Sequence, residues 1–280
     1  ILDNSSTKLG LQQMMMLDRN SAAFKASYTK PYGMILVTGP TGSGKSTTLY
    51  TTLNEVAKPE INVITVEDPV EYRLAGINQV QVNVKAGLTF ASALRSILRS
   101  DPDVVLIGEI RDQETAQIAI EASLTGHLVL STLHTNDAPS AVTRLIEMDI
   151  EPFLVGSALD CVVAQRLARR LCERCKVPYQ LEVHELEALR FGYTRDLGVP
   201  TLYRPGGCQH CSGTGYRGRL ALHEVMTVTE DIERMAVTRA SSAEIGRLAV
   251  EQGMVTLRQD GWAKALLGLT SVDEILRVVA

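Results

Sequence analysis

The chain has 280 residues, with 28 Lys and Arg against 32 Asp and Glu for a net charge of −4, and is 45% hydrophobic and 21% charged. That is the balance of an ordinary globular protein. It excludes the overall basic footprint of a nucleic-acid binder, and no apolar run is long enough to span a bilayer. No secretory signal pattern opens the chain, and the first residue is Ile1, not Met, so the sequence reads as a fragment.

Ile1 to Tyr32 is polar, with some expected helix and a Met14-Met15-Met16 cluster that reads as core packing. From Met34 to about Ile150, strands and helices alternate. The predicted strands are Met34–Thr38, Asn62–Val66, Ile77–Val82, Val104–Gly108 and Leu128–Thr132. Thr89 caps a helix running to Arg99, and Asp112 caps one from Gln113 to Leu124 that Gly126 ends. Such alternation predicts an α/β fold, a largely parallel sheet with helices on both faces. Pro152 opens a further predicted helix, continuing through Leu171, and the chain is expected to turn helical again after Gly218. Ser241-Ser242-Ala243-Glu244 is a capping box, Gly253 closes its helix, Thr256 to Leu267 forms the next, and Ser271 caps a third. There is no internal repeat.

The most specific stretch is Gly39-Pro40-Thr41-Gly42-Ser43-Gly44-Lys45-Ser46, followed by Thr47. It matches G-x-x-x-x-G-K-[ST] at every fixed position. Glycines allow positive φ, so the backbone N–H groups turn inward and cradle phosphate oxygens. Lys45 adds a charge for the β- and γ-phosphates, and the Ser46 hydroxyl suits Mg²⁺. A buried strand precedes the loop and a helix from Lys45 to Ala57 follows it, directing its N-terminus at the anion.

Hydrolysis also needs a carboxylate to hold or activate water. Two acidic clusters follow predicted strands: Glu67-Asp68-Pro69-Val70-Glu71, and Glu109 after Val104-Val105-Leu106-Ile107-Gly108. The carboxyl ends of parallel strands are where ligands bind in open α/β sheets. Gly108 stands where a metal-supporting Asp is usual, so that support falls to Glu67, to Asp68 or to water. The competing reading has these acids capping helices or pairing with Arg73 or Arg111. His127 and His134 flank the strand Leu128–Thr132. His134, at its carboxyl end, is placed to reach a γ-phosphate or a neighbouring subunit.

Cys172 and Cys175, with Cys208 and Cys211, are two C-x-x-C pairs. Each pair offers two sulfurs to one ion from a tight turn, and two pairs complete a closed Cys₄ shell for a structural Zn²⁺. Four thiolates around Zn²⁺ leave about two surplus negative charges, which Arg166, Arg169, Arg170, Arg174 and Lys176 are placed in sequence to offset. A redox reading is weaker, because no thioredoxin-like unit surrounds either pair. Cys161 lies in an apolar stretch and reads as core.

Val37–Tyr50 resembles the Walker A region of the bacterial type II secretion and type IV pilus assembly ATPases. Ile64–Glu71 resembles their aspartate box. Asp101–Asp112 is similar to their atypical Walker B, with Gly108-Glu109 in place of Asp-Glu, and Thr125–Asn136 to their histidine box. The resemblance implies a RecA-like P-loop NTPase core over residues 31–165, a tetracysteine zinc segment over 166–218 and a C-terminal helical region over 219–280. Residues 1–30 would be the tail of an N-terminal domain. It further implies ATP and Mg²⁺ as cofactors, and Glu109, Glu67, His134 and His127 as catalytic residues. A homo-hexamer would work at the cytoplasmic face of the inner membrane, coupling hydrolysis to movement of a platform protein. The family's N-terminal domain supplies arginines to the nucleotide, so a fragment without it is expected to bind ATP but hydrolyse it poorly. The tetracysteine segment favours extension or secretion over retraction. Two competing readings are a nucleic-acid translocase, opposed by the negative charge and scarcity of aromatic residues, and a nucleotide-controlled scaffold without turnover.

Overall fold

The computed structural model describes residues 10–279, so the expectations for residues 1–9 lie outside the described residues. The fold is α/β, and the chain forms two compact units. The first takes the described residues up to Gln165 together with Glu224–Met254, and the second takes Arg166–His223 and the chain from Val255 onward. This differs from the expected four segments, because the span after residue 218 is shared between both units.

Five strands of the first unit are β1 (Gly33–Thr38), β2 (Val63–Glu67), β3 (Asn78–Gln81), β4 (Val104–Ile107) and β5 (Leu128–Leu133). They are mutually parallel, in the order β3-β2-β4-β5-β1. On the far side of β1 lie β6 (Leu159–Leu171), parallel to it, and then β9 (Tyr216–Thr227), after β7 (Val177–Tyr179) and β8 (Leu202–Arg204) in the chain. Met34 to Val37 are fully buried, as expected for a parallel strand covered on both faces. Ile35 and Val37 pack with Leu106 and Leu130 against Phe24 of α1 (Asp18–Tyr28) and Leu49 and Leu53 of α2 (Lys45–Val56). By the two-residue period of a strand, Met34 and Leu36 face the opposite layer.

The predicted helix from Pro152 to Leu171 is not what forms. After α3 (Phe90–Ile97), α4 (Gln113–Leu124) and α5 (Pro139–Glu147), helix α6 (Pro152–Ala158) stops, and the chain continues as the strand β6. Cys161, Val162, Val163 and Ala164 pair with β1, and all four are fully buried. Cys161 is therefore core, as expected, but in a strand. β9 likewise replaces the helix expected after Gly218. Leu, Ala, Arg and Gln are good helix formers, but propensity is a weak preference, and pairing in a buried sheet overrides it. The later caps form as read. Ser241 caps α9 (Ser242–Glu251), which follows α8 (Glu230–Val237), Thr256 caps α10 (Leu257–Leu266) and Ser271 caps α11 (Val272–Val278).

The second unit has its own core. Leu186 of α7 (Val183–Leu189), Phe191, Leu202, Trp262, Ala265, Val272 and Ile275 pack together, around β7 and β8 paired antiparallel. Glu274 is buried there beneath Arg169 and Arg277.

Candidate functional site

The loop from Gly39 to Gly44 leaves the carboxyl end of β1 and enters α2, as the sequence pattern requires. Gly39 has a φ of 147°. A Cβ there would lie 2.4 Å from the Gln165 carbonyl oxygen and 2.7 Å from Ser43 Oγ, so no other residue fits without displacing backbone. Gly42 and Gly44 also take positive φ, 79° and 89°. The Lys45 ammonium donates to the carbonyls of Gly39, at 2.8 Å, and Pro40, at 3.2 Å, which holds the charge over the loop. Ser46 Oγ donates to Glu71 Oε1 at 2.9 Å. This joins the hydroxyl read as a Mg²⁺ ligand to the last acid of the 67–71 cluster. A hydroxyl and a carboxylate oxygen side by side are the donor types a hard divalent cation takes.

Glu67 ends β2 and is buried. Thr65 Oγ1 donates to its Oε1 at 2.5 Å, Gln79 Nε2 donates to the same oxygen at 3.2 Å, and the Tyr50 hydroxyl donates to Oε2. Burial and then the Glu67 carboxylate push the Tyr50 phenol far above its ordinary value, so Tyr50 remains a permanent donor. On the next strand, a Cβ at Gly108 would lie 3.3 Å from Glu67 Cα and 3.4 Å from the Val66 carbonyl oxygen. The place of the usual strand-end Asp is thus tight against the backbone of the neighbouring strand, which ends in its own acid, Glu67.

Glu109 follows β4, with its side chain 14% exposed. One carboxylate oxygen pairs with Arg111 and the other lies 3.4 Å from His134 Nε2. Burial pushes this carboxyl up, but Arg111 and His134 outweigh burial and hold it below the ordinary carboxylate value. His134 is brought there by the end of β5. Its loop is tied to β1 through Thr38 Oγ1, which accepts from the Thr135 N–H at 2.8 Å. Glu67, Glu71, Glu109, His134 and the phosphate loop thus all stand at the carboxyl-end edge of the sheet.

His127 is not among them. It precedes β5, where its carbonyl accepts from Gly33 N at 3.2 Å and its Nδ1 lies 2.9 Å from the Ala122 carbonyl, closing the end of α4. Six strand residues separate it from His134, roughly 20 Å. Sequence reasoning missed a different residue. Gln165 of β6 donates through Nε2 to the Ser43 carbonyl at 2.8 Å and accepts from Thr48 Oγ1 at 2.6 Å. Its one sequence signal is a polar residue directly after the apolar run Val162-Val163-Ala164, in a stretch whose pattern predicts helix.

In the second unit the sulfurs of Cys172, Cys175, Cys208 and Cys211 all lie within 4.8 Å of one another. The Cys172–Cys208, Cys175–Cys211 and Cys208–Cys211 separations are 3.9, 3.8 and 3.7 Å. The edge of a tetrahedron with Zn–S bonds of about 2.3 Å is about 3.8 Å, so the cage fits a zinc-sized ion and is far too open for disulfides. Backbone N–H groups of Gly207 and Gly215 point at Cys175 Sγ and Cys211 Sγ, at 3.2 and 3.1 Å, supporting thiolate charge. Of the cations expected nearby, Arg169 is committed to Glu274, while Arg170 and Lys176 pair with Glu173.

A strand, a glycine-rich loop and a helix N-terminus beside acid-tipped parallel strands define a P-loop NTPase core. Residues 1–277 match the family model described as type II/IV secretion system protein, and the chain belongs to that family. It is 53% identical over 253 residues, 90% of the chain, to the type IV pilus assembly ATPase PilB of Thermus thermophilus. To the type II secretion system protein E of Dickeya dadantii it is 49% identical, over 99% of the chain. It spans only 28% and 55% of these two relatives. Among solved structures, it superposes on the pilus retraction motor PilT with bound ADP with a TM-score of 0.70 and 26% identity. That match covers 97% of this chain and 66% of the other.

Proposed function

We propose that this chain is the ATP-hydrolysing part of a motor subunit that powers assembly of a type IV pilus or a type II secretion pseudopilus. What supports the reading is that Lys45, Ser46, Glu71, Glu67, Glu109 and His134 all stand at or after the carboxyl ends of parallel strands of one sheet, with Ser46 bonded to Glu71 and His134 beside Glu109. Gly39, Pro40, Thr41, Gly42, Ser43, Gly44 and Thr47 wrap the phosphates, and Lys45 neutralises the β- and γ-phosphoryl oxygens. Ser46 and Glu71 would hold Mg²⁺, which when bound neutralises charge on the phosphates. Glu67, fixed by three donors, stands beside them. Glu109, ionised at neutral pH, positions the attacking water and takes its proton, and His134 orients that carboxylate.

The four cysteines would hold a structural Zn²⁺, since a closed Cys₄ shell leaves no position for chemistry. Among the described residues no helix is long and apolar enough to cross a membrane. The reading places the protein as a homo-hexamer peripheral to the inner membrane, with a platform protein and other machinery components as partners and no nucleic acid. Phosphate release by the full-length protein tests it. Lys45→Ala is expected to lose both binding and turnover, and turnover per subunit should rise from this chain to the full-length protein. An unchanged phosphate-release rate in Lys45→Ala would sink the reading.

A further inference from the structure

Gln165 is 2% exposed and belongs to no segment so far connected with the reaction. It nevertheless touches the phosphate loop at three points. At the loop's start, its main-chain carbonyl oxygen fills the space a Cβ on Gly39 would need. Near the loop's end, its carboxamide N–H donates to the Ser43 carbonyl at 2.8 Å. In the first turn of α2, its carboxamide oxygen accepts from Thr48 Oγ1 at 2.6 Å. A carboxamide donates and accepts from one end in a fixed plane without carrying charge. Here it holds the Ser43 carbonyl outward toward β6.

The peptide that carries the Ser43 carbonyl carries the Gly44 N–H at its other end. Because a peptide is planar and trans, a carbonyl pinned on one side turns the following N–H to the other. A bond to the Ser43 oxygen therefore fixes the direction of a loop N–H group, which is the property a phosphate cradle needs. Buried in the sheet, the bond is not exchanged for water, and removing one partner leaves the Ser43 carbonyl or the Thr48 hydroxyl without it.

We infer that Gln165 is a positioning residue for nucleotide binding, which sets the peptide orientation of the phosphate loop through the Ser43 carbonyl and Thr48. The inference rests on the loop being the nucleotide site. It is tested with the fluorescent nucleotide mant-ATP, titrated against the full chain and its variants. Gln165→Ala is expected to weaken binding at least about tenfold, with the thermal melt of the nucleotide-free protein still cooperative. Gln165→Glu keeps the size and the acceptor for Thr48 but, when ionised, places an anion against the Ser43 carbonyl. Its affinity relative to the parent should recover as pH falls and the carboxyl regains a proton to donate, a response that a purely structural role would not produce. This variant also decides the matter if Gln165→Ala melts at the assay temperature. Lys45→Ala is the control. Lost binding there, with Gln165→Ala binding within about twofold of the parent or a Gln165→Glu ratio flat with pH, overturns the role of Gln165 alone. Undiminished binding in Lys45→Ala overturns the nucleotide site and this inference with it.

Discussion

His134 Nε2 stands 3.4 Å from one oxygen of Glu109, and Arg111 occupies the other. The carboxylate is thus held from both sides and kept ionised. Glu109→Gln removes the charge while keeping the shape, so nucleotide affinity should persist while phosphate release falls by about 10²-fold or more. A variant that loses binding and turnover together would show that Glu109 holds the loop and not the water.

The same arrangement fixes a pH dependence. Glu109 is depressed below the ordinary carboxylate value, so the form needed as a base is present throughout neutral pH and is lost only as pH falls below that range. Arg111→Ala removes the largest opposing contact, so the acid limb of the pH–rate profile should move upward. An acid limb unmoved by this change would mean that another group sets it.

Ser46 and Glu71 predict a shared metal response. Glu71→Gln should raise the Mg²⁺ concentration needed for half-maximal phosphate release by about tenfold, the order expected when a group that holds or orients a metal's contacts is lost. Ser46→Ala should raise it further. Excess Mg²⁺ should restore Glu71→Gln; a defect that stays constant across the titration would remove Glu71 from the metal site.

For the cysteine cage, elemental analysis is expected to give one zinc per chain, falling to a small fraction in Cys208→Ser. Trp262, the chain's single tryptophan, is packed in the core of the same unit as the cage. Its fluorescence should shift to the red when a chelator removes the metal. Full metal retention in Cys208→Ser would contradict a four-sulfur site.

Glu274 provides a test of the second unit's stability. Burial alone would raise its carboxyl, but Arg277 and Arg169 overcome this and lower it to about 2. The stabilisation is therefore complete above about pH 4.5 and is lost as pH falls from there toward 2. Glu274→Gln should flatten that acid limb in urea melts followed by Trp262. It should also lower the urea midpoint at neutral pH, because the ion pairs of Arg169 and Arg277 with the buried carboxylate are lost. An identical acid limb in the variant would assign the loss to other carboxyls.

The phosphate loop is legible in the sequence because most of its fixed positions answer to geometry within eight residues: Ser43 Oγ beside Gly39, a helix beginning at Lys45. Helix caps such as Thr89, Asp112 and Ser241 were legible for the same local reason. β6 and β9 were not. Their residues suit helices taken alone, and what makes them strands is β1 and its neighbours, far away in sequence. The error at β6 concealed Gln165, whose partners Ser43 and Thr48 lie over a hundred residues earlier. His127 and His134 border the same strand, and the sequence already sets His134 at its carboxyl end; only the family resemblance gives His127 a catalytic role. The direction of that strand separates them, sending one to the ligand edge and the other to the cap of α4.

The bare α-carbon at Gly108 sets a limit on how this centre can be altered. The backbone that ends β2 approaches this position closely enough that any side chain at 108 has to push Glu67 Cα and the Val66 carbonyl back by a few tenths of an ångström. An Asp written there to restore the commoner Walker pattern is therefore coupled to the acid already seated between Tyr50 and Thr65, and its effect has to be judged together with Glu67.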